Sequence, residues 1–156
     1  MGTLVELCME VKMENLKIKK LDDRAVIPTY GTIDSAGADL YAILDNEIEI
    51  QPGETVVINT GLAMAIPRGY VGLIYARSSL GTKRGLAPAN KVGVIDADYR
   101  GEVKVVLFNQ SKTIQTISPN ERIAQIVITP FIQVNFEETE ELDETERGEG
   151  GFGSTN

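Results

Sequence analysis

The chain has 156 residues, 42% of them apolar and 6% aromatic, which suits one globular domain with a single buried core. It contains no histidine and a single cysteine, Cys8. Histidine-based catalysis, imidazole metal ligands, internal disulfides and thiolate zinc sites are therefore excluded, and any metal should be a hard ion bound by oxygen.

The net charge of −8 is unevenly spread. Residues 137–149 hold eight acidic residues and one arginine, which leaves 14 basic and 15 acidic residues elsewhere. Because this nearly neutral body has no basic stripe, we expect no long nucleic acid as a partner, whereas a small polyphosphate needs only a few well-placed arginines. No apolar run approaches the roughly 20 residues of a membrane span, and no signal-like segment opens the chain. We expect an intracellular, cytoplasmic protein with no membrane partner; nuclear, organellar and viral origins stay open.

The composition divides the chain into three regions. Residues 1–12 are expected to be a leader or extension without fixed structure; the alternative is a short strand that carries Cys8. Residues 13–136 are expected to form the globular domain. Residues 137–156 are expected to be an acidic tether followed by a glycine-rich lid, mobile when nothing is bound.

Apolar residues repeat with a period of two through the middle region, which predicts β-strands. The alternating segments lie near 16–21, 47–51, 71–76, 103–108 and 131–136, and 123–128 is predicted as a mostly apolar strand. Turn signals such as Pro52-Gly53 separate them, and short strands at this spacing favour an all-β sandwich or barrel. We expect one short helix after Arg77, from about Ser78 to Thr82.

Five polar, glycine-containing segments are candidates for chemistry. The first, SAGADLYA at 35–42, places Asp39 just before an apolar strand, although a turn with a cap would explain it as well. In the second, YARSSLGTKRGL at 75–86, Arg77, Ser78 and Ser79 would combine a guanidinium, two hydroxyls and helix N–H groups into an anion site. The alternative for this segment is a simple helix cap.

The other three segments follow in order. APANKVGVIDADYRGEV at 87–103 predicts a hairpin with Asp96, Asp98, Tyr99 and Arg100 near its exit, or a solvated turn. In PNERIAQIVI at 119–128, Arg122 and Gln125 interrupt an otherwise apolar strand, and Gln125 needs a hydrogen-bond partner, unless it simply faces water. RGEGGFGSTN at 147–156 suits a loop that folds over a polyphosphate and lays an aromatic on a ring, or a disordered tail.

Together and in this order, the five segments resemble the motifs of the trimeric dUTPase family over about residues 15–156. The resemblance implies a jelly-roll-like fold and hydrolysis of dUTP to dUMP and pyrophosphate, which lowers dUTP and supplies dUMP for dTMP synthesis. It implies water attack on the α-phosphorus, with Mg²⁺ as the cofactor on the triphosphate. It also implies a homotrimer in which each site takes the hairpin from one chain, the second and fourth segments from another, and the tail from the third.

The resemblance further implies a role for each matching residue. Asp96 should be the catalytic carboxylate that activates water and meets the sugar 3′-hydroxyl, and Asp39 should support the water shell of the metal without binding it directly. The expected substrate-binding residues are Arg77, Ser78, Ser79, Asn90, Gly93, Val94, Tyr99, Gln125, Arg147, Phe152, Gly153, Ser154 and Thr155.

Within that set the family assigns different parts of the nucleotide to different residues. The hairpin residues from Asn90 to Val94 should hold uracil, and Tyr99 should pack on the deoxyribose, leaving no room for a 2′-hydroxyl. Arg77, Ser78 and Gln125 should contact phosphates. The backbone N–H of Ser79 should do the same, at a position where many members have glycine. Arg147 and residues 153–155 should contact the γ-phosphate, while Phe152 should stack on uracil.

Two alternatives share the fold. A dCTP deaminase needs a catalytic glutamate on the strand after the third segment, where this chain has Val106. Deaminases also lack the ending RGEGGFGSTN that this chain carries. A non-catalytic module would be expected to lose Asp96, Tyr99, Arg77 or the tail, and all of them are present.

Overall fold

The computed structural model describes residues 15–151. The predicted leader at 1–12 and the predicted lid residues Phe152, Gly153, Ser154 and Thr155 lie outside the described residues. Within 15–151 the chain forms short strands and one helix. In chain order these are β1 (Lys17–Lys20), β2 (Thr29–Tyr30), β3 (Ala38–Tyr41), β4 (Ile48–Ile50), β5 (Thr55–Ala65), β6 (Tyr70–Tyr75), α1 (Ser78–Arg84), β7 (Leu86–Pro88), β8 (Gly93–Ile95), β9 (Glu102–Asn109), β10 (Gln115–Ile117) and β11 (Arg122–Pro130).

The strands pair antiparallel in two large sheets and one small one. The first sheet has the order β1-β5-β9-β7, the second the order β2-β3-β11-β6-β8, and β10 pairs with β4. One cluster of buried apolar side chains joins the two large sheets, with Leu40 and Ile126 from one and Ile58 and Leu107 from the other. This confirms the expected all-β, jelly-roll-like fold.

Strand β9 shows why the alternating segments become strands. Val103, Val105 and Leu107 are buried, whereas Lys104 between them is exposed. Burying each of these side chains contributes about 1.5–3 kcal/mol, so a shift by one residue would expose the whole set. The predicted alternation at 103–108 is therefore confirmed.

Strand β5 is the longest strand among the described residues, and the predicted segments do not include it. Thr60 stands at an inward-facing position of this strand, where the pattern would require an apolar residue. Its hydroxyl donates to the Val103 carbonyl, so the buried oxygen is satisfied. A polar residue at a core position hides the alternation, which is why the pattern fails here.

The predicted strand over 131–136 is wrong for the described chain. Strand β11 ends at Pro130, and the following residues form neither strand nor helix. An alternating segment becomes a strand only when another strand pairs with its backbone. Ile132 is 88% exposed and Phe136 95% exposed, so this segment finds no such partner between residues 15 and 151.

The single helix between residues 15 and 151, α1, forms where the sequence predicts it and runs two residues further. It ends at Gly85, whose φ of +66° favours glycine, and a Cβ there would come within 2.9 Å of Ser111 Cβ. Arg84 pairs with Glu121 and donates to the Thr116 carbonyl, which fixes the helix against β10 and its following turn. No described helix is long and apolar enough to cross a membrane.

Candidate active site

Three neighbouring strands of the second sheet carry a row of polar side chains. Asp39 on β3 lies opposite Gln125 on β11, and Gln125 lies opposite Tyr75 on β6. Residues that pair directly across antiparallel strands share one face of the sheet. The sequence predicts Asp39 just before the strand, but it lies within β3, because it pairs with Thr29 of β2 on one side and with Gln125 of β11 on the other.

Arg77 leaves the end of β6 and immediately precedes α1. Its Nε donates to Asp39 Oδ1 at 2.7 Å, and Arg122 Nη1 donates to Asp39 Oδ2 at 3.3 Å. The Asp39 side chain is 12% exposed, whereas those of Arg77 and Arg122 are 22% and 52% exposed. Two guanidinium groups on one carboxylate leave a local charge of about +1, which favours an anion.

These side chains surround an open cavity of about 420 Å³. Its walls include Asp39, Tyr75, Arg77, Ser78, Arg122 and Gln125, and the lining is completed by Gly31, Ser35, Ala36, Gly37 and Val127. The structure therefore brings together predicted site residues from the first, second and fourth segments, which lie far apart in sequence.

The Gln125 amide has a defined orientation. Its Nε2 donates to the Ala76 carbonyl at 2.9 Å, and because a carbonyl only accepts, the other amide atom must be Oε1. Gly37 makes room for it: a Cβ at that position would lie 2.3 Å from Gln125 Oε1. The expected hydrogen-bond partner of Gln125 is thus found, and Oε1 faces Gly37 on the cavity rim.

The two serines that follow Arg77 differ in their surroundings. Ser78 is exposed and lines the cavity. The hydroxyl of Ser79 accepts a hydrogen bond from Arg77 Nη1 at 3.2 Å. The role expected for the Ser79 backbone N–H stays a prediction.

The hairpin predicted over 87–103 is wrong, because β7 pairs with β9 in the first sheet whereas β8 pairs with β6 in the second. The segment from β7 to β8 instead crosses between the two sheets through a turn. Asn90 lies in the turn, Gly93 and Val94 begin β8, and the register places Val94 opposite Leu73 of β6. Val94 is 59% exposed, so this edge of the sheet is open to a ligand. A Cβ on Gly93 would lie 3.1 Å from Ile74 Cβ, which explains why the smallest residue stands there.

Asp96 and Tyr99 lie in the turn that follows β8. The Asp96 carbonyl accepts from the Tyr99 N–H at 3.1 Å, and the Tyr99 hydroxyl donates to the Glu102 carbonyl at 3.0 Å. A Cβ on Gly101 would lie 2.4 Å from the Tyr99 hydroxyl, so the ring packs directly on this glycine. The ring is held in place while both Asp96 and Tyr99 remain exposed.

Within one chain, Asp96 and the cavity are at opposite ends of strand β6. Ile95 pairs with Gly72, whereas Arg77 lies five residues further along the chain from Gly72. At about 3.3 Å per residue, the position of Ile95 beside Gly72 and the position of Arg77 are roughly 16 Å apart along the direction of β6. The structure therefore does not bring Asp96 and Tyr99 together with Arg77 and Gln125 in a single chain.

Arg147 lies outside the cavity in the described chain. Its Nε donates to the Gly150 carbonyl at 2.7 Å, and it is exposed. Residues 137–149 are all exposed, in keeping with their charge. Phe152, Gly153, Ser154 and Thr155 lie outside the described residues, and their expected contacts stay predictions.

A second depression, of about 390 Å³, is lined by none of the predicted site residues. Arg24 dominates it, donating to both Asp22 and Asp45. The hydrogen bonds from Arg24, its side chain first and then its backbone N–H, lower the pKa of Asp22 from 3.8 to about 2. The arginine is thereby occupied, which leaves the first cavity as the better anion site.

The cavity's donor set does not suit a metal bound by the protein itself. Both Asp39 oxygens accept hydrogen bonds from guanidinium groups, and between residues 15 and 151 no three acidic or sulfur side chains gather as a metal site. A cation that arrives on phosphate oxygens would still fit, since the walls offer charge and hydroxyls to the phosphates.

Arg122 and Tyr75 line the cavity, and neither is among the predicted substrate-binding residues, although the sequence marks Arg122 as an interruption of an apolar strand. The signal for Arg122 was its place in the run ERIAQ, where a charged residue opens an apolar strand three residues before Gln125. Only the pairing of β11 with β3 shows that its side chain reaches Asp39.

Comparison with known proteins supports a specific family. A family model described as dUTPase matches residues 23–156. The deoxyuridine 5'-triphosphate nucleotidohydrolase of Nautilia profundicola is 52% identical over 140 residues, covering 90% of this chain and 97% of that protein. The protein of the same name from Neisseria meningitidis serogroup B is 48% identical over 143 residues, covering 90% and 95%.

Solved structures agree with the sequence relatives. The dUTPase of Staphylococcus bacteriophage 80alpha, solved with dUPNHPP, superposes with a TM-score of 0.83 at 30% identity, covering 92% of this chain and 99% of that one. A variant of the dUTPase from phage phi11 of S. aureus, described as revealing the coordination of a structural Mg(II) ion, superposes with a TM-score of 0.75 at 25% identity, covering 84% and 100%. With a matching family model over most of its length and relatives near half identity, the chain belongs to the dUTPase family.

Proposed function

We propose that this protein hydrolyses dUTP to dUMP and pyrophosphate. The observation that carries the proposal is the cavity between β3, β6 and β11, where Arg77, Arg122 and Asp39 leave a net positive charge beside Ser78 and Gln125. A site of this kind suits the phosphates of a nucleotide. The relatives named deoxyuridine 5'-triphosphate nucleotidohydrolase supply the identity of that nucleotide.

In this proposal the cavity residues bind the phosphates of dUTP. Arg77 and Ser78 donate to phosphate oxygens, and Gln125 uses its remaining amide hydrogen and Oε1 for a phosphate or a bound water. Arg147, Gly153, Ser154 and Thr155 contact the γ-phosphate, and Phe152 stacks on the base.

Asp96 is the proposed general base. Its carboxylate takes a proton from a water molecule whose oxygen then bonds to the α-phosphorus. The bond from the α-phosphorus to the bridging oxygen breaks, and pyrophosphate leaves with that oxygen. In a chain without histidine, an exposed carboxylate is a suitable group for this proton transfer.

Mg²⁺ is the proposed cofactor, carried on the triphosphate, where it would neutralise phosphate charge. Asp39 was expected to support its water shell. The two guanidinium contacts of Asp39 give that carboxylate a second proposed task, which is to hold Arg77 and Arg122 in the cavity wall.

The segment from Asn90 to Val94 is the proposed specificity element. Its backbone groups hydrogen-bond uracil in a pattern that cytosine does not match, and a methyl group at C5 of the base would clash with the same segment. The Tyr99 ring, held by Glu102 and Gly101, packs on the deoxyribose and excludes a 2′-hydroxyl.

A homotrimer with shared sites would assemble these parts. Because Ile95 and Arg77 lie at levels roughly 16 Å apart on β6, one chain does not supply both halves of a compact site. A neighbouring chain that presents its β8 and the turn with Asp96 to this chain's cavity would complete the site. Such a protein would lower dUTP and supply dUMP for dTMP synthesis.

Pyrophosphate release from dUTP, dCTP, dTTP and UTP with Mg²⁺, assayed in parallel, tests the proposal. We expect turnover of dUTP alone. A site that hydrogen-bonds its substrate rejects an analogue with mismatched groups, here dCTP, by about 10⁴–10⁵, whereas UTP and dTTP would be excluded by clashes with Tyr99 and with residues 90–94. Comparable turnover of UTP would contradict the role of Tyr99. Ammonia release from dCTP would instead favour the deaminase alternative, which Val106 on β9 disfavours because valine transfers no proton.

A further inference from the structure

The Arg77 guanidinium is held by two different neighbours at two different nitrogens. Its Nε donates to Asp39 Oδ1 at 2.7 Å, and its Nη1 donates to Ser79 Oγ at 3.2 Å. Asp39 comes from β3 and Ser79 from the first turn of α1, whereas Arg77 itself joins β6 to α1. The two contacts therefore come from separate elements of the fold.

Two hydrogen bonds restrict the orientation of the Arg77 guanidinium more than one does. A guanidinium held by a single hydrogen bond can still pivot about that bond, whereas bonds at two nitrogens fix its plane. Arginine has many rotamers, and a side chain fixed before binding loses less entropy when the ligand arrives. The remaining N–H groups of Arg77 are then free for a ligand in the cavity that Arg77 lines.

Of the two groups that hold Arg77, the Asp39 carboxylate is shared with Arg122, whereas the Ser79 hydroxyl is not. The Asp39 carboxylate also accepts from Arg122 at 3.3 Å, so its single charge serves two guanidinium groups. The helix that carries Ser79 is itself fixed, because Arg84 at its other end pairs with Glu121. The Ser79 hydroxyl thus presents a rigid acceptor to Arg77.

We propose that Ser79 is a positioning residue whose hydroxyl fixes the plane of the Arg77 guanidinium for phosphate binding. The identity of the phosphate ligand, the triphosphate of dUTP, rests on the proposed function. The hydroxyl acts through Arg77 and needs no contact of its own with the substrate.

The test compares Ser79→Ala and Ser79→Thr, each in the wild-type and in the Arg77→Gln background. Ser79→Ala should raise KM for dUTP by about 3- to 10-fold, the usual effect of one hydrogen bond, with an unchanged melting temperature. Ser79→Thr keeps the hydroxyl and should stay near wild type. In the Arg77→Gln background Ser79→Ala should add nothing, because the group it positions is gone.

Thr82→Ala is the matched control. It removes an exposed hydroxyl from the same helix, away from the cavity, and should leave KM unchanged. An unchanged KM in Ser79→Ala would overturn the proposal. So would an equal loss in the Arg77→Gln background, since Ser79 would then act independently of Arg77.

Two readouts separate this proposal from the proposed function. Binding of inorganic tripolyphosphate should weaken by a similar factor in Ser79→Ala even if the wild type does not hydrolyse dUTP. NMR spectra of protein with ¹⁵N-labelled arginine need no ligand at all, and rotation about the Cζ–Nη1 bond of Arg77 should be faster in Ser79→Ala. Equal rotation rates in the two proteins would show that the hydroxyl does not hold the guanidinium.

Discussion

Asp96 is the residue on which the proposed chemistry depends most. Replacing it by asparagine keeps the shape of the side chain but removes the proton acceptor. We expect Asp96→Asn to keep its oligomeric state and its affinity for a non-hydrolysable dUTP analogue while kcat falls by about 10²–10⁴. Steady-state pyrophosphate release and equilibrium binding measure the two quantities.

Asp98→Asn provides the control for Asp96→Asn, because it neutralises another exposed carboxylate in the same turn. It should leave kcat close to wild type. A near-normal kcat in Asp96→Asn would show that another group accepts the proton.

Substitution of Gly37 tests whether the site needs the observed position of the Gln125 amide. A Cβ there would lie 2.3 Å from Gln125 Oε1, which is the far end of a flexible side chain, so the amide can move aside at little cost in stability. It would then leave its place beside the Ala76 carbonyl. We expect Gly37→Ala to melt near the wild-type temperature but to lose about 10- to 100-fold in kcat/KM, the effect of a hydrogen bond to a charged ligand. Normal kinetics would show that Gln125 does not need its observed position.

Among the structural elements, the strands provide the stability of the fold, whereas the C-terminal tail is expected to serve activity. All described strands lie between Lys17 and Pro130, so deletion of residues 147–156 removes no strand. We expect the melting temperature to change little and activity to collapse, because Arg147 and the lid would no longer bring charge to the γ-phosphate or exclude water. Pyrophosphate release and thermal unfolding measure the two effects.

The tail deletion should weaken binding of the triphosphate analogue more than binding of dUMP, which has no γ-phosphate. Glu149→Gln is the matched control, since it changes an exposed side chain of the same segment and should keep activity. A deletion that retains activity would show that the site closes without this segment.

The whole molecule decides which chain supplies which part of the site. The proposed homotrimer predicts that tail-deleted chains and Asp96→Asn chains complement each other when mixed, because one can supply an intact Asp96 and the other an intact tail. Partial recovery of pyrophosphate release after subunit exchange is the expected result. No recovery after exchange has been verified by mass spectrometry would argue that the tail closes over its own chain.

The exposed apolar segment after β11, residues 131–136, bears on the assembly of the whole molecule. Ile132, Val134 and Phe136 are 88%, 62% and 95% exposed, and a run of such residues is unusual on a free surface. We expect the proposed trimer to cover part of it.

The sequence by itself determined the all-β class, the strands β1, β4, β6, β9 and β11, and the short helix after Arg77, because alternation and turn residues act locally. It failed at β5, where Thr60 satisfies its buried hydroxyl through Val103, a contact invisible in one dimension. It failed again at 131–136, where the pattern is present but a pairing strand is not. The residues of the candidate site were also named from sequence, through motifs whose order resembles one family.

Only the tertiary structure decided how those residues are grouped. The pairing of β11 with β3 and β6 brings Asp39, Gln125 and Arg77 into one cavity and adds Arg122 to it. The pairing of β8 with β6 places Asp96 toward the opposite end of the strand. Register sets these distances, and it depends on hydrogen bonds between segments far apart in the chain, so no local pattern encodes it.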